Sequence, residues 1–185
     1  LEDGDFAEIT KDDIKIFNGD GELTKREETK IDATPTSTSK GNYTHFMEKE
    51  IYEQPEALGN TINGRLGEND VLDNIFGLGS SDAFKDIKRI QFVACGTSLH
   101  AAKTARKWFE EICEIPCYID FASEYRYRNP IVEDHTLFVT ISQSGETADT
   151  LAALEYARGE KYIGIVTICN VPTSTMAREA DWKIF

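Results

Sequence analysis

From residue 88 to residue 185, apolar runs of strand length alternate with longer stretches whose apolar positions recur at helical spacing. Residues 90–95 read as a buried strand, Gly96, Thr97 and Ser98 as a tight turn, and residues 99–112 as an amphipathic helix. Ala102, Ala105, Trp108, Phe109 and Ile112 form its expected apolar stripe. Pro116 stops the helix, residues 117–120 follow as a short strand, and residues 122–126 are helical. Residues 136–141 read as a third strand, 148–158 as a helix, 162–169 as a fourth strand, 174–180 as a short helix and 182–185 as the start of a fifth strand.

Near-continuous apolar strands, each followed by a helix, predict an α/β fold with helices on both faces of a parallel sheet. The expected architecture is a three-layer αβα arrangement around five parallel strands. Right-handed crossovers leave few topologies, and the best fit is a flavodoxin-like strand order, 2-1-3-4-5. In that order the first and third strands are neighbours, and a crevice opens between their carboxyl ends.

Upstream the pattern changes. Residues 6–10 and 14–17 alternate apolar and polar side chains, and Asn18, Gly19, Asp20 and Gly21 are a strong turn signal. Two strands cannot bury a core, so residues 1–31 are expected to be a hairpin belonging to a larger sheet. Residues 32–41 are small and polar and read as a linker. Residues 42–58 carry a helical pattern through Phe46, Met47, Ile51 and Tyr52, with Pro55 interrupting it or starting a second segment. A short helix is expected over 71–76 and a loop over 77–82. The chain thus divides into a hairpin (1–31), a linker (32–41), a helical lead-in (42–87) and the α/β domain (88–185).

Charge narrows the partners. With 33 Asp and Glu against 20 Lys and Arg, the formal net charge is −13. Such a surface repels nucleic acid and anionic lipid, and no basic run interleaved with aromatics offsets this. The apolar runs are too short for a membrane span. Leu1, Glu2 and Asp3 do not begin a signal peptide, and the lack of an initiating methionine is what a piece of a longer protein would show. Cys95, Cys113, Cys117 and Cys169 are placed as small core residues of a reducing compartment, so a cytoplasmic location is expected. Cys113 and Cys117 could form half a metal site, but no second pair has ligand spacing, and His45, His100 and His135 are scattered. Neither a metal nor a cofactor is expected.

The chemistry concentrates in residues 142–147, Ser-Gln-Ser-Gly-Glu-Thr, between the third strand and the helix over 148–158. The first N–H groups of a helix have no intrahelical partner and sit at the positive end of its dipole. Ser142, Gln143, Ser144 and Thr147 add side-chain donors, and Gly145 lets the backbone turn. Two readings follow: hydroxyls that cap a helix, or a site for a phosphate. The turn at Gly96, Thr97 and Ser98 has similar chemistry and falls at the neighbouring strand end. Two such turns facing one crevice favour the ligand.

These residues resemble the sugar isomerase (SIS) domain family. Residues 142–147 match its phosphosugar loop and residues 95–98 its first-strand turn, and the resemblance covers about residues 88–185. Residues 1–5 resemble the end of a glutamine amidotransferase domain. Residues 45–55 and 122–128 are similar to segments of the glutamine-dependent fructose-6-phosphate aminotransferases. That resemblance implies an enzyme that moves the glutamine amide nitrogen onto fructose 6-phosphate and isomerises the product to glucosamine 6-phosphate. It implies that Gly96, Thr97, Ser98, Ser142, Gln143, Ser144 and Thr147 bind the phosphosugar. It also implies a homodimer through SIS domains.

The resemblance implies no catalytic residue here. The family's glutaminase nucleophile is an amino-terminal cysteine, and position 1 is Leu1. Its Schiff-base lysine, proton-transferring glutamate and ring-opening histidine lie in a second SIS domain and a carboxyl-terminal tail, so this chain alone is expected to bind without turnover. His100 reads as a helix-surface or domain-contact residue and Glu146 as a first-turn carboxylate. The alternative is a regulatory SIS domain that senses a phosphosugar, but residues 1–87 lack a basic helix-turn-helix pattern. A dinucleotide site would need further glycines after Gly96.

Overall fold

The computed structural model describes residues 1–2, 4–27, 39–73 and 75–185. The chain divides into two compact units, Leu1–Gln54 and Pro55–Phe185. Most of the linker reading, residues 32–38, lies outside the described residues.

The first unit holds a three-stranded antiparallel sheet: β1 (Phe6–Ile9), β2 (Ile14–Phe17) and β3 (Leu23–Thr24), in that order. Thr10 closes the first turn, its N–H donating to the Asp13 carbonyl at 2.8 Å and its hydroxyl accepting from Asp13 N at 3.0 Å. Asn18 builds the second turn, its side-chain oxygen accepting the Asp20 and Glu22 N–H groups at 3.1 and 2.9 Å. The expected hairpin is therefore a three-stranded meander. β3 is only two residues long, too short for an alternation to register. Phe6 stacks on Phe17 at 5.1 Å. Arg26 grips Asp5 with two hydrogen bonds, at 2.8 and 2.9 Å. Those bonds, with one from Glu2 N, hold the Asp5 carboxyl well below the usual carboxylate range.

The helix α1 (Phe46–Ile62), read as 42–58, runs unbroken through Pro55, which was expected to interrupt it or start a second segment. A proline removes one hydrogen bond and crowds the preceding turn, and a long helix carries that as a local defect.

The second unit holds five parallel strands: β4 (Arg89–Ala94), β5 (Cys117–Phe121), β6 (Thr136–Ser142), β7 (Gly164–Cys169) and β8 (Trp182–Ile184). Their order is β5-β4-β6-β7-β8, the expected 2-1-3-4-5. The helices are α2 (Ser80–Ala83), α3 (Gly96–Ile112), α4 (Ala122–Tyr125), α5 (Ala148–Arg158) and α6 (Thr175–Glu179). The path from β4 to β5 runs one way along the sheet, and the paths from β6 onward run the other. Crossovers of one hand then place their helices on opposite faces. Accordingly, Ile90, Phe92, Leu137 and Val139 pack with Ala102 and Phe109 of α3 on one face. Val93, Phe138 and Ile165 pack with Tyr125, Leu154 and Met176 on the other.

Beyond shifts of one or two residues at element ends, such as the fourth strand starting at Gly164 and not at 162, local readings of the second unit differ from the structure as follows. Residues 96–98 are already the first turn of α3. Trp108 and Ile112 are exposed, at 59% and 77%, and leave the predicted stripe. Successive helical residues are about 100° apart, so a helix that seats Phe109 on the sheet turns Trp108 to its flank. Where a short helix was expected over 71–76, the described residues 71–73, 75 and 76 are not helical: Val71 bridges to Leu66, and residues 73, 75 and 76 lie in turns. Residues 80–83 are helical where a loop was expected, with Gly79 before them at φ +78°. Phe76, Phe84 and Ile87 pack against the α3 face of the sheet, with Trp182 among them. Phe84 meets Trp182 edge to face at 5.4 Å, and Lys183 N donates to the Phe76 carbonyl at 2.8 Å.

A side chain at Gly164 would place its Cβ 2.3 Å from the Trp182 ring. Gly164→Ala is expected to destabilise the sheet by about 1–3 kcal/mol, read from urea unfolding, because the tryptophan must leave its aromatic contacts. The first unit is expected to respond to acid. Because the Asp5 carboxyl is lowered in the folded state, its contribution is complete above the unfolded-chain value, about 4, and is lost progressively as pH falls below it. Amide NMR of β1–β3 between pH 5 and pH 2, roughly spanning that range, should show this loss, and Asp5→Asn should flatten it.

Candidate functional site

β4 and β6 lie side by side, Ala94 opposite Ile141, and both chains leave the sheet at the same edge. After β4 the chain enters α3 at once, with Gly96 in the left-handed region at φ +55°. After β6 it makes the loop 143–147 and enters α5. A crevice of about 260 Å³ lies between the two exits, lined by Cys95, Gly96, Thr97, Ser98, Ile141, Ser142, Gln143, Ser144, Thr147 and Thr150. All seven residues expected from the sequence are in this lining.

The loop is built by its own hydroxyls. Ser142 Oγ accepts the Gly145 N–H at 3.0 Å and lies 3.3 Å from Thr147 Oγ1. Ser144 Oγ accepts the Glu146 N–H at 3.2 Å. Gly145 sits at φ +68°, where an alanine Cβ would lie 2.2 Å from Ser174 Oγ and 2.5 Å from Ser174 Cβ. Glycine is needed twice over, for its dihedral and for this close approach.

None of these hydroxyls caps the helix that follows. Thr147 occupies the position before α5 without a side-chain cap bond, and Cys95 occupies the same position before α3, also without one. Two helix starts therefore meet the crevice without a side-chain cap from the residue that precedes them. The third helix at this edge differs: Ser174 Oγ accepts from Ala177 N at 3.4 Å, and Glu146 Oε1 accepts from Thr175 N at 2.7 Å. Of the loop, Glu146 is the residue that caps α6, while Ser142 and Ser144 bond N–H groups inside the loop. What remains at α3 and α5 is a positive, hydrogen-bond-donating concavity.

Thr150 also lines the crevice, and its hydroxyl donates toward Cys95 Sγ at 3.9 Å. The sequence signal for it was its place one helical turn beyond Thr147. Cys95 is half-buried in the lining and not wholly core. Cys117 and Cys169 are buried as expected, and burial pushes the Cys117 thiol up to about 11. Cys113 is exposed, because it follows the last turn of α3 beyond the sheet. His100 is exposed and outside the lining. Among the described residues, no group of three or more His, Cys, Asp or Glu is placed to hold a metal. No described helix is long and apolar enough to cross a membrane.

The chain is 51% identical over 181 residues to glutamine–fructose-6-phosphate aminotransferase [isomerizing] of Idiomarina loihiensis and 47% identical over 182 residues to that of Vibrio parahaemolyticus. Each match takes in 98% of this chain and 30% of the relative, so the chain spans under a third of their length. Among solved structures, it is similar to the C-terminal domain of glucosamine-fructose-6-phosphate aminotransferase from Francisella tularensis. That match has 47% identity and a TM-score of 0.74, and covers 80% of this chain and 41% of the other. The SIS domain family matches residues 83–185, which hold the whole parallel sheet and both loops of the crevice. On that match, and with the fold already in place, the chain belongs to the SIS domain family.

Proposed function

We propose that the crevice binds a phosphosugar by its phosphate, and that this chain is the substrate-holding part of a glutamine-dependent fructose-6-phosphate aminotransferase. The observation that carries the reading is the pair of uncapped helix starts, α3 and α5, at one strand-exit crevice. A phosphate dianion suits them because it accepts several N–H bonds and gains from both dipoles. Gly96, Thr97 and Ser98 serve it from one side, and Ser142, Gln143, Ser144 and Thr147 from the other. The sugar is fructose 6-phosphate, which the relatives' names carry, or glucosamine 6-phosphate, its aminated and isomerised product.

In this reading the hydroxyls that shape the loop do two things. Ser142 and Ser144 accept from the backbone; Ser144 keeps its O–H proton to donate outward, and of the paired Ser142 and Thr147 hydroxyls one proton is left to donate outward. Proton transfer between sugar carbons needs groups beyond this crevice, so the chain alone binds without turnover. Residues 1–31 would be the end of a glutaminase domain, 32–41 its linker and 42–87 the lead-in to the SIS domain. The assembly would be a homodimer through SIS domains in the cytoplasm, where amino sugars are made.

Titration calorimetry of the chain with fructose 6-phosphate should give tighter binding than with inorganic phosphate. Ser98→Ala, which removes one donor, should weaken both by about tenfold. Equal affinity for the sugar phosphate and for phosphate, with no effect of Ser98→Ala, would sink the assignment. Gly145→Ala should abolish measurable binding and destabilise the unit by about 1–3 kcal/mol in urea unfolding, through left-handed strain and displacement of Ser174.

A further inference from the structure

The loop 143–147 does not stand alone. Gln143 O accepts from Asn170 N at 3.2 Å, and Gly145 O accepts from Met176 N at 3.1 Å. Both links use backbone atoms, so they are available to any sequence that adopts this path. Glu146 adds a side-chain link: its Oε1 accepts the Thr175 N–H at 2.7 Å, at the first residue of α6. Its own N–H is held by Ser144 Oγ at 3.2 Å. One residue therefore joins the hydroxyl network of the loop to the start of the next helix.

We infer that Glu146 is a positioning residue for the anion loop. This rests on the phosphosugar reading, and it assigns the carboxylate a task that neither catalysis nor ligand contact requires. Glu146 is exposed and outside the crevice lining, so it acts through Ser144 and Gly145. A carboxylate at a helix start is stabilised by the N–H groups it meets, which anchors the loop to α6 on its outer side. The same carboxylate places a fixed negative charge on α6. An incoming anion then finds the α3 and α5 starts open and the α6 start taken.

The test uses two variants and two readouts. In the ligand-free chain, Glu146→Ala should raise amide hydrogen exchange at residues 143–147 by about tenfold, with amides of β4 and β7 unchanged. The same variant should weaken fructose 6-phosphate and inorganic phosphate binding by about tenfold. Glu146→Gln keeps an acceptor oxygen and should restore both to within about threefold of the starting chain. Unchanged loop exchange in Glu146→Ala would overturn the inference, as would unchanged binding by a variant of a chain that does bind. If exchange rises and Gln restores it while the unaltered chain binds neither ligand, the positioning role stands and the phosphosugar reading falls.

Discussion

The parallel pairing of β4 with β6 is the constraint on which the rest depends. Six residue pairs, from Arg89–Thr136 to Ala94–Ile141, bring the two strands to the same edge in register. Each must be followed by a chain that turns back over a face of the sheet, and the two turn back over opposite faces. Their helices therefore start next to each other and then diverge. The gap is a consequence of topology, and every α/β sheet with a reversal of winding has one. This chain lines it mostly with small hydroxyl residues from both turns, Thr97 and Ser98 on one side and Ser142, Ser144 and Thr147 on the other.

The same economy governs the loop. A helix start normally takes the nearest side-chain oxygen as its cap. Here Ser142 and Ser144 accept from N–H groups two or three residues on, still inside the loop, and Thr147 gives no cap bond to α5. That leaves unmet donors at α5, a cost the fold carries in the free state and one that water or an anion relieves. The folding of the loop and its receptiveness to a ligand thus come from one decision about where three hydroxyls point.

How much of this could be read from the chain depended on length and on burial. The long central strands, buried on both faces, announced themselves as apolar runs, and helix 148–158 was bounded as read. The seven crevice residues could be brought together because the strand order sets the turns after the first and third strands at one crevice. Thr150 was missed, since its one mark, a place one helical turn beyond Thr147, shows a shared helix face and not that the face meets a cleft. β3 was hidden by its brevity, and α2 by a glycine at its start where a serine or aspartate would have signalled a cap. Trp108 misled because hydrophobicity was counted without fixing which way α3 sits. The destination of Glu146, a helix start 29 positions away in the chain, has no local signature at all.

The strap formed by Phe76, Phe84 and Ile87 has a consequence for where the domain is said to begin. The family resemblance starts at residue 83, yet Phe76 lies upstream, against the same aromatic cluster and bonded through its carbonyl to the outermost strand. β8 is three residues long and lies at the end of the sheet order. Its open side faces that carbonyl, so the strap also works as a selvedge that keeps the last strand from offering itself to another chain. The packed sheet therefore draws on residues upstream of the stretch that the SIS family match covers, and those residues belong to its edge and not to its site.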